Sequence, residues 1–150
     1  MIKLIATDMD GTLLDANSKI NPEFDEVFKK LLEKDIKFAV ASGRQYMRLR
    51  EDFKEYAEDI VFIGDNGSIV MYRDKEIFSQ TMKDGDVDKV IKGVRDLNGS
   101  RIVLSGKKEA YFYTHKIDMI EEIEKYYKQF KIIHDFEAID DQILKIAIYV

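Results

Sequence analysis

The stretch "IKLIATDMDGTLLD", residues 2–15, decides how this chain is read. Residues 2–8 are apolar at most positions, as in a β-strand covered on both faces. The run stops on Asp8, and a second carboxylate follows at Asp10, then Gly11, Thr12 and two leucines. Such a strand carries two acids, a flexible backbone position and a hydroxyl to its C-terminal end.

Working outward, Asn21-Pro22 predicts a helix start, with Asn21 as N-cap and Pro22 in the first helical position. Phe24, Val27, Phe28, Leu31 and Leu32 then follow the spacing of one buried helical face. Residues 36–42 ("IKFAVAS") predict a second strand, and residues 44–57 a second helix with Tyr46, Leu49, Phe53 and Tyr56 on one side. "IVFIG", 60–64, predicts a third strand. Strand, helix, strand, helix, strand implies a parallel sheet with crossover helices. "SIVMY" and "EIFSQ" around "RDK" then predict a β-hairpin.

From residue 82 the rhythm changes. A helix carries Val87, Val90, Ile91, Val94 and Leu97 and is ended by Asn98-Gly99. "RIVLS" and "AYFYT" form a hairpin across "GKKE". A helix with Ile117, Ile120, Ile123 and Tyr127 inward follows, then strands near 131–134 and 143–150. This pattern predicts an α+β unit over an antiparallel sheet, so the chain divides into residues 1–81 and 82–150.

The 150 residues are 45% hydrophobic and 35% charged, a composition able to bury a core. No apolar run is long enough to span a bilayer, and the first residues read as a strand rather than a signal peptide. The absence of cysteine excludes disulfides and thiolate metal sites and fits a reducing compartment. A net charge of −5 disfavours nucleic acid or an anionic membrane as the main partner. The expectation is a cytoplasmic, soluble protein.

Parallel strands joined by right-handed crossovers end on one sheet edge, where ligands bind. Asp8 ends the first strand, Ser42 the second, and Asp65-Asn66-Gly67 follows the third, so three polar loops converge. Asp8 is a candidate nucleophile toward phosphorus. A carboxylate with an ordinary pKa of about 3.9 is ionised at neutral pH and needs no activating base. A phosphate dianion would repel it, so the site requires a cation, and Mg²⁺ suits carboxylate and phosphate oxygens. Asp10, two residues on, points to the same side. It can protonate the departing oxygen and then take a proton from the hydrolysing water. Gly11 permits close backbone approach, Thr12 can orient a carboxylate, and Ser42 with the Gly43 amide can hold phosphate oxygens at a helix start.

These residues carry a resemblance. "DMDGTLL" resembles the first motif, Asp-x-Asp-x-Thr, of the haloacid dehalogenase-type phosphatases. "VASGRQ", 40–45, is similar to their second motif, and "DNGS", 65–68, to the Asn-Gly loop of the Cof-type branch. The resemblance implies a Mg²⁺-dependent phosphatase with a Rossmann-like core and an α/β cap inserted after the third core strand and hairpin. It implies Asp8 as nucleophile and metal ligand, and Asp10 as acid/base that binds metal through its backbone carbonyl. It also implies a Met9 backbone amide on the phosphate. Arg44 and Asn66 are candidate substrate contacts, and the substrate is a small phosphorylated metabolite, with sugar phosphates the family-level expectation. A lysine in place of Asp10 would mark the P-type ATPase branch.

Simpler readings exist for several residues. Arg44 reads as a solvated helix residue, and Asn66-Gly67 as a turn. Lys107 and Lys108 read as a solvated hairpin tip, and His115 and His134 as surface residues. Tyr111, Tyr113, Tyr126 and Tyr127 read as core. The family's third-motif lysine and its acidic Gly-Asp-x-x-Asp-type loop do not follow the cap. "ILKIAIYV" runs apolar to the last residue. The expectation is the front half of a core plus part of a cap, both incomplete, with uncovered strand edges prone to self-association. The alternatives are a phosphomutase of the same superfamily and a catalytically incompetent phosphate-ligand binding or regulatory domain.

Overall fold

The computed structural model describes residues 1–94, 101–113, 120–136 and 139–149. Strands β1 (Leu4–Asp8), β2 (Lys37–Ala41) and β3 (Ile60–Gly64) are parallel and adjacent, joined by α1 (Phe24–Glu33) and α2 (Tyr46–Asp52). Asp8 pairs with Ala41, and Ala41 with Ile63, so the three strands end level with one another. A hairpin of β4 (Ile69–Tyr72) and β5 (Lys75–Ser79) adds antiparallel strands, giving the order β1-β2-β3-β4-β5. Its turn residues Arg73 and Asp74 both have positive φ, 52° and 57°, as a two-residue turn matched to the strand twist requires.

Both crossover helices lie on one face of this sheet. Phe24 and Phe28 of α1 and Leu49 of α2 pack with Phe53 on Phe38, Val40, Ile60 and Phe62. Phe28 sits 5.1 Å from the Tyr56 ring and 5.9 Å from Phe38, edge-on, the favoured arrangement for aromatic quadrupoles.

The second unit has a four-stranded sheet in the order β8-β7-β6-β9, built from β6 (Arg101–Gly106), β7 (Ala110–Tyr113), β8 (Phe130–Ile133) and β9 (Ile143–Tyr149). Helix α3 (Asp84–Val94) covers one face through Val87 and Ile91. Helix α4 (Ile120–Glu124) covers the other, where Ile123 and Tyr127 meet Val103 and Phe112. Leu144 of β9 packs into the first unit's core, and the Met82 amide donates to the Ile143 carbonyl at 2.7 Å, so the two sheets are held together.

Several expectations are corrected. Strand β1 is not covered on both faces. It is the outer strand of its sheet, and Leu4 (55%) and Ile5 (36%) are exposed. The regular part of α1 begins at Phe24. Asn21 precedes it, its side chain accepting the Glu23 amide at 2.9 Å. Val27 and Leu32 are exposed because they flank the Phe24–Phe28–Leu31 stripe on either side. Helix α2 ends at Asp52, five residues early, and irregular turns carry Phe53 and Tyr56 to the core. The second sheet is mixed rather than antiparallel. β7 and β8 pair in parallel because the chain crosses through α4 between them. His134 is exposed as expected, Tyr111 and Tyr127 are buried, and Tyr126 is exposed. Leu97, Asn98, Gly99, His115, Ile117 and Val150 lie outside the described residues, as does the Ile120 side chain.

At the turn of the hairpin, Asp74 accepts the Arg50 guanidinium through both oxygens, at 2.6 and 2.8 Å, and the Tyr46 hydroxyl. Arg50, then Tyr46, hold its carboxyl at about 2, below the ordinary 3.8. A depressed folded-state pKa stabilises the fold above pH 3.8, and that contribution is lost as pH falls through 2. Asp74→Asn keeps a residue that tolerates positive φ. Because the pair is partly exposed, solvent screening limits the expected loss to about 1 kcal/mol at neutral pH. Urea unfolding should show this gap closing as the pH approaches about 2. A gap that persists there would show that the carboxylate charge is not its cause.

Candidate active site

The chain leaves β1 in a tight loop. The Thr7 hydroxyl and the Leu13 amide donate to the Asp8 carbonyl at 2.9 and 3.3 Å, and the Leu14 amide donates to the Met9 carbonyl at 2.8 Å. Gly11, at φ +79°, takes the left-handed conformation that lets the loop fold back. The Met9 side chain is buried, whereas Asp8 and Asp10, one residue to either side, are exposed. Alternation therefore anchors the segment by its methionine and leaves two carboxylates on the open side.

The ends of β2 and β3 are tied to each other. The Ser42 amide donates to the Ile63 carbonyl at 2.9 Å, Asn66 to Ser42 at 3.2 Å, and Asp65 to Arg44 at 3.0 Å. Asn66 takes φ 60°, and its side-chain oxygen lies 2.7 Å from where a Cβ on Gly43 would sit. A Cβ on Gly64 would stand 3.3 Å from the Arg44 carbonyl and from the Tyr46 amide nitrogen. The glycines thus allow close loop contact. The Arg44 amide donates to the Ser42 hydroxyl at 3.2 Å. Among the described residues no acceptor meets the Gly43 amide.

Arg44 joins this pair of loops to the first. Its guanidinium donates to Asp10 at 2.7 Å and to Asp52 at 2.8 Å, with its side chain only 12% exposed. It is therefore not a solvated helix residue. Thr12 is exposed, and among the described residues its hydroxyl donates to no carboxylate, so the orienting role expected of it falls to Arg44. Lys107 is likewise no free hairpin tip, since it bridges to Glu76 of the first unit at 2.9 Å. Lys108 does stay exposed, paired with Asp140.

Behind the loops lie Gln45, Asp65 and Ser105, the buried polar residues among those described. The Gln45 side chain accepts the Lys128 and Gln129 amides and donates to the Gln129 carbonyl, each at 3.1 Å. Asp65 is ion-paired with Lys145 of β9 at 3.2 Å. Burial pushes the Asp65 carboxyl above its ordinary range, and Lys145 pulls it back toward the charged form. Lys145 also donates to the Gly43 carbonyl and stands 5.3 Å from the Tyr127 ring centroid. The sequence reading missed Lys145, although it is the lone charge inside the apolar run "ILKIAIYV".

Asp8 and Asp10 offer hard oxygen donors of the kind Mg²⁺ takes, one or two carboxylates completed by water and phosphate. Among the described residues no group of three or more His, Cys, Asp or Glu could hold a metal. The Asp10 carboxylate is taken by Arg44, so the ligands the motif resemblance implies, the Asp8 carboxylate and the Asp10 backbone carbonyl, do not depend on that side chain.

A family profile for haloacid dehalogenase-like hydrolases matches residues 5–150. The chain is 31% identical over 149 residues to the 5-amino-6-(5-phospho-D-ribitylamino)uracil phosphatase YbjI of Escherichia coli, covering 98% of this chain and 55% of that one. The solved structure of SMU.1108c from Streptococcus mutans superposes with a TM-score of 0.88 at 26% identity, over 99% of this chain and 57% of the other. The subclass IIB sugar phosphatase BT4131 shares the fold, with a TM-score of 0.80 at 16% identity, over 99% of this chain and 58% of the other. The chain thus spans a little over half the length of these relatives.

The crowding at Gly64 gives a direct check. Gly64→Ala forces the Arg44 carbonyl and the Tyr46 amide apart and should cost about 1–3 kcal/mol in chemical denaturation, the usual range for overpacking. Wild-type stability in this variant would mean that the Arg44–Tyr46 backbone yields to the added methyl and that the glycine is not required for the loop contact.

Proposed function

The chain belongs to the haloacid dehalogenase-like hydrolases, and from that premise we propose a Mg²⁺-dependent phosphatase that hydrolyses small phosphorylated metabolites, sugar phosphates among them, through an aspartyl-phosphate on Asp8. The observation that carries this reading is the level register of β1, β2 and β3, with the Asp8, Ser42 and Asp65 loops on one edge.

The Asp8 carboxylate attacks phosphorus, the bond to the leaving oxygen breaks, and Asp10 gives that oxygen a proton. Asp10 then takes a proton from the water that attacks the aspartyl-phosphate, releasing inorganic phosphate and restoring Asp8. Arg44 holds Oδ1 of Asp10, which leaves Oδ2 for the proton. The Ser42 hydroxyl and the Gly43 and Met9 amides bind the phosphate oxygens, and Gly11 keeps the loop backbone close. The Asp8 carboxylate and the Asp10 carbonyl would hold Mg²⁺, which would offset the repulsion between carboxylate and phosphate. Asn66 supports the Gly43 turn from below, and its fit is to loop position more than to substrate.

Residues 1–81 form the catalytic unit in this reading and 82–150 the cap. The absence of cysteine supports a cytoplasmic location. The exposed Leu4 and Ile5 on outer strand β1 support self-association through that edge when nothing else covers it.

Assayed in the whole natural protein with p-nitrophenyl phosphate, Asp8→Asn should abolish turnover while the folded state persists, since the change is nearly isosteric. Asp10→Asn should slow it by roughly 10²–10⁴, with Mg²⁺ affinity falling less. Substantial turnover by the Asp8 variant would reject the nucleophile. Lost metal binding with normal single-turnover chemistry in the Asp10 variant would reject its proton-transfer role.

A further inference from the structure

We propose that Lys145, a residue of the second sheet, is a positioning residue for the phosphate-binding hydroxyl of Ser42; this rests on the reading of Ser42 given above. Three successive carbonyls of the loop after β2 are tied down. Asn66 takes that of Ser42, Asp65 takes that of Arg44, and the one between them, on Gly43, is taken by the Lys145 ammonium. The first two ties come from the loop's own sheet, and the third comes across the junction from β9.

A peptide group is planar, with its carbonyl and amide pointing opposite ways. Fixing the Gly43 carbonyl therefore fixes the Arg44 amide, which donates to the Ser42 hydroxyl at 3.2 Å. The same plane bears on the Gly43–Arg44 link from which the Arg44 guanidinium reaches Asp10. Lys145 is itself well held. Its side chain is 15% exposed, Asp65 supplies the countercharge at 3.2 Å from a 1% exposed position, and Tyr127 lies along it. A buried charge pair that leaves an Asp65 oxygen without a well-formed hydrogen bond is poorly explained by stability alone, because an apolar pair of similar volume would do as well. The contact with the Gly43 carbonyl supplies the reason for a cation there. The second sheet thereby sets the geometry of the loop, and a displaced sheet would release it.

The test uses the whole natural protein and orthovanadate as the phosphate probe. Lys145→Met alone strands the Asp65 charge, so Lys145→Met/Asp65→Asn is compared beside it. Lys107→Met is the control, since it removes another lysine that bridges the two units but touches neither loop. The double variant should bind vanadate about 10-fold more weakly, the scale of one lost charge-assisted hydrogen bond, and its Arg44 amide should exchange about 10-fold faster. Lys107→Met should change neither. Unchanged Arg44 exchange overturns the proposal, as does unchanged vanadate affinity. So do equal effects in the Lys107 variant, which would make Lys145 a general fastener. If the wild type binds no vanadate, the phosphatase site reading fails, and Arg44 exchange alone then decides the role of Lys145.

Discussion

The register between three parallel strands is the constraint on which the rest of the molecule depends. With Asp8, Ala41 and Ile63 level, the loops that follow are forced over one edge, although they are separated by dozens of residues in sequence. The crossovers place α1 and α2 on the same face, so the aromatic core of Phe24, Phe28, Phe38 and Tyr56 forms between helices and sheet. A slip of one residue in β1 would turn Met9 outward and carry both carboxylates inward. The buried Met9 side chain is therefore as necessary to the site as the acids it separates.

The second constraint is polar. The junction between the two sheets holds Gln45, Asp65, Ser105 and Lys145, with Gln45 bonded to backbone and Asp65 paired with Lys145. Ser105 is close enough to Asp65 to favour its charged form, yet its hydroxyl has no hydrogen bond of good geometry. Polar groups in such a position fix orientation more than they add stability, since desolvation offsets much of the attraction. The apolar contribution at the junction comes from Leu144, which enters the first core from β9.

Much of the fold was legible because local chemistry and global topology agree. Strand 60–64 was read at its true bounds, and the hairpin after it by its turn residues. The loops were legible because parallel strands joined by right-handed crossovers bring their C-terminal ends to one edge. What escaped the sequence was tertiary. The uncovered edge of β1 is as the sequence predicts, but its apolar run also suggested two covered faces, and the exposure of Leu4 and Ile5 is not encoded in that run. The parallel pairing of β7 with β8 depends on the path through α4. Arg44 looked like an ordinary surface residue because its partners, Asp10 and Asp52, are distant or a helix length away. Lys145 broke an apolar run, a signal that marks a buried charge without saying what it faces. Thr12 reads as an orienting hydroxyl from its place beside two carboxylates, yet the residue is exposed, and among the described residues its hydroxyl donates to neither.

We propose that Asp8, delivered by β1, receives the phosphoryl group. The most direct measurement is an acid quench of the whole protein during turnover of a radiolabelled phosphate monoester, followed by mapping of the labelled peptide. A hydroxylamine-labile label on Asp8 is the result predicted, since an acyl phosphate is the product of carboxylate attack on phosphorus. A label on a histidine, a serine or any other carboxylate would show that Asp8 is not the nucleophile.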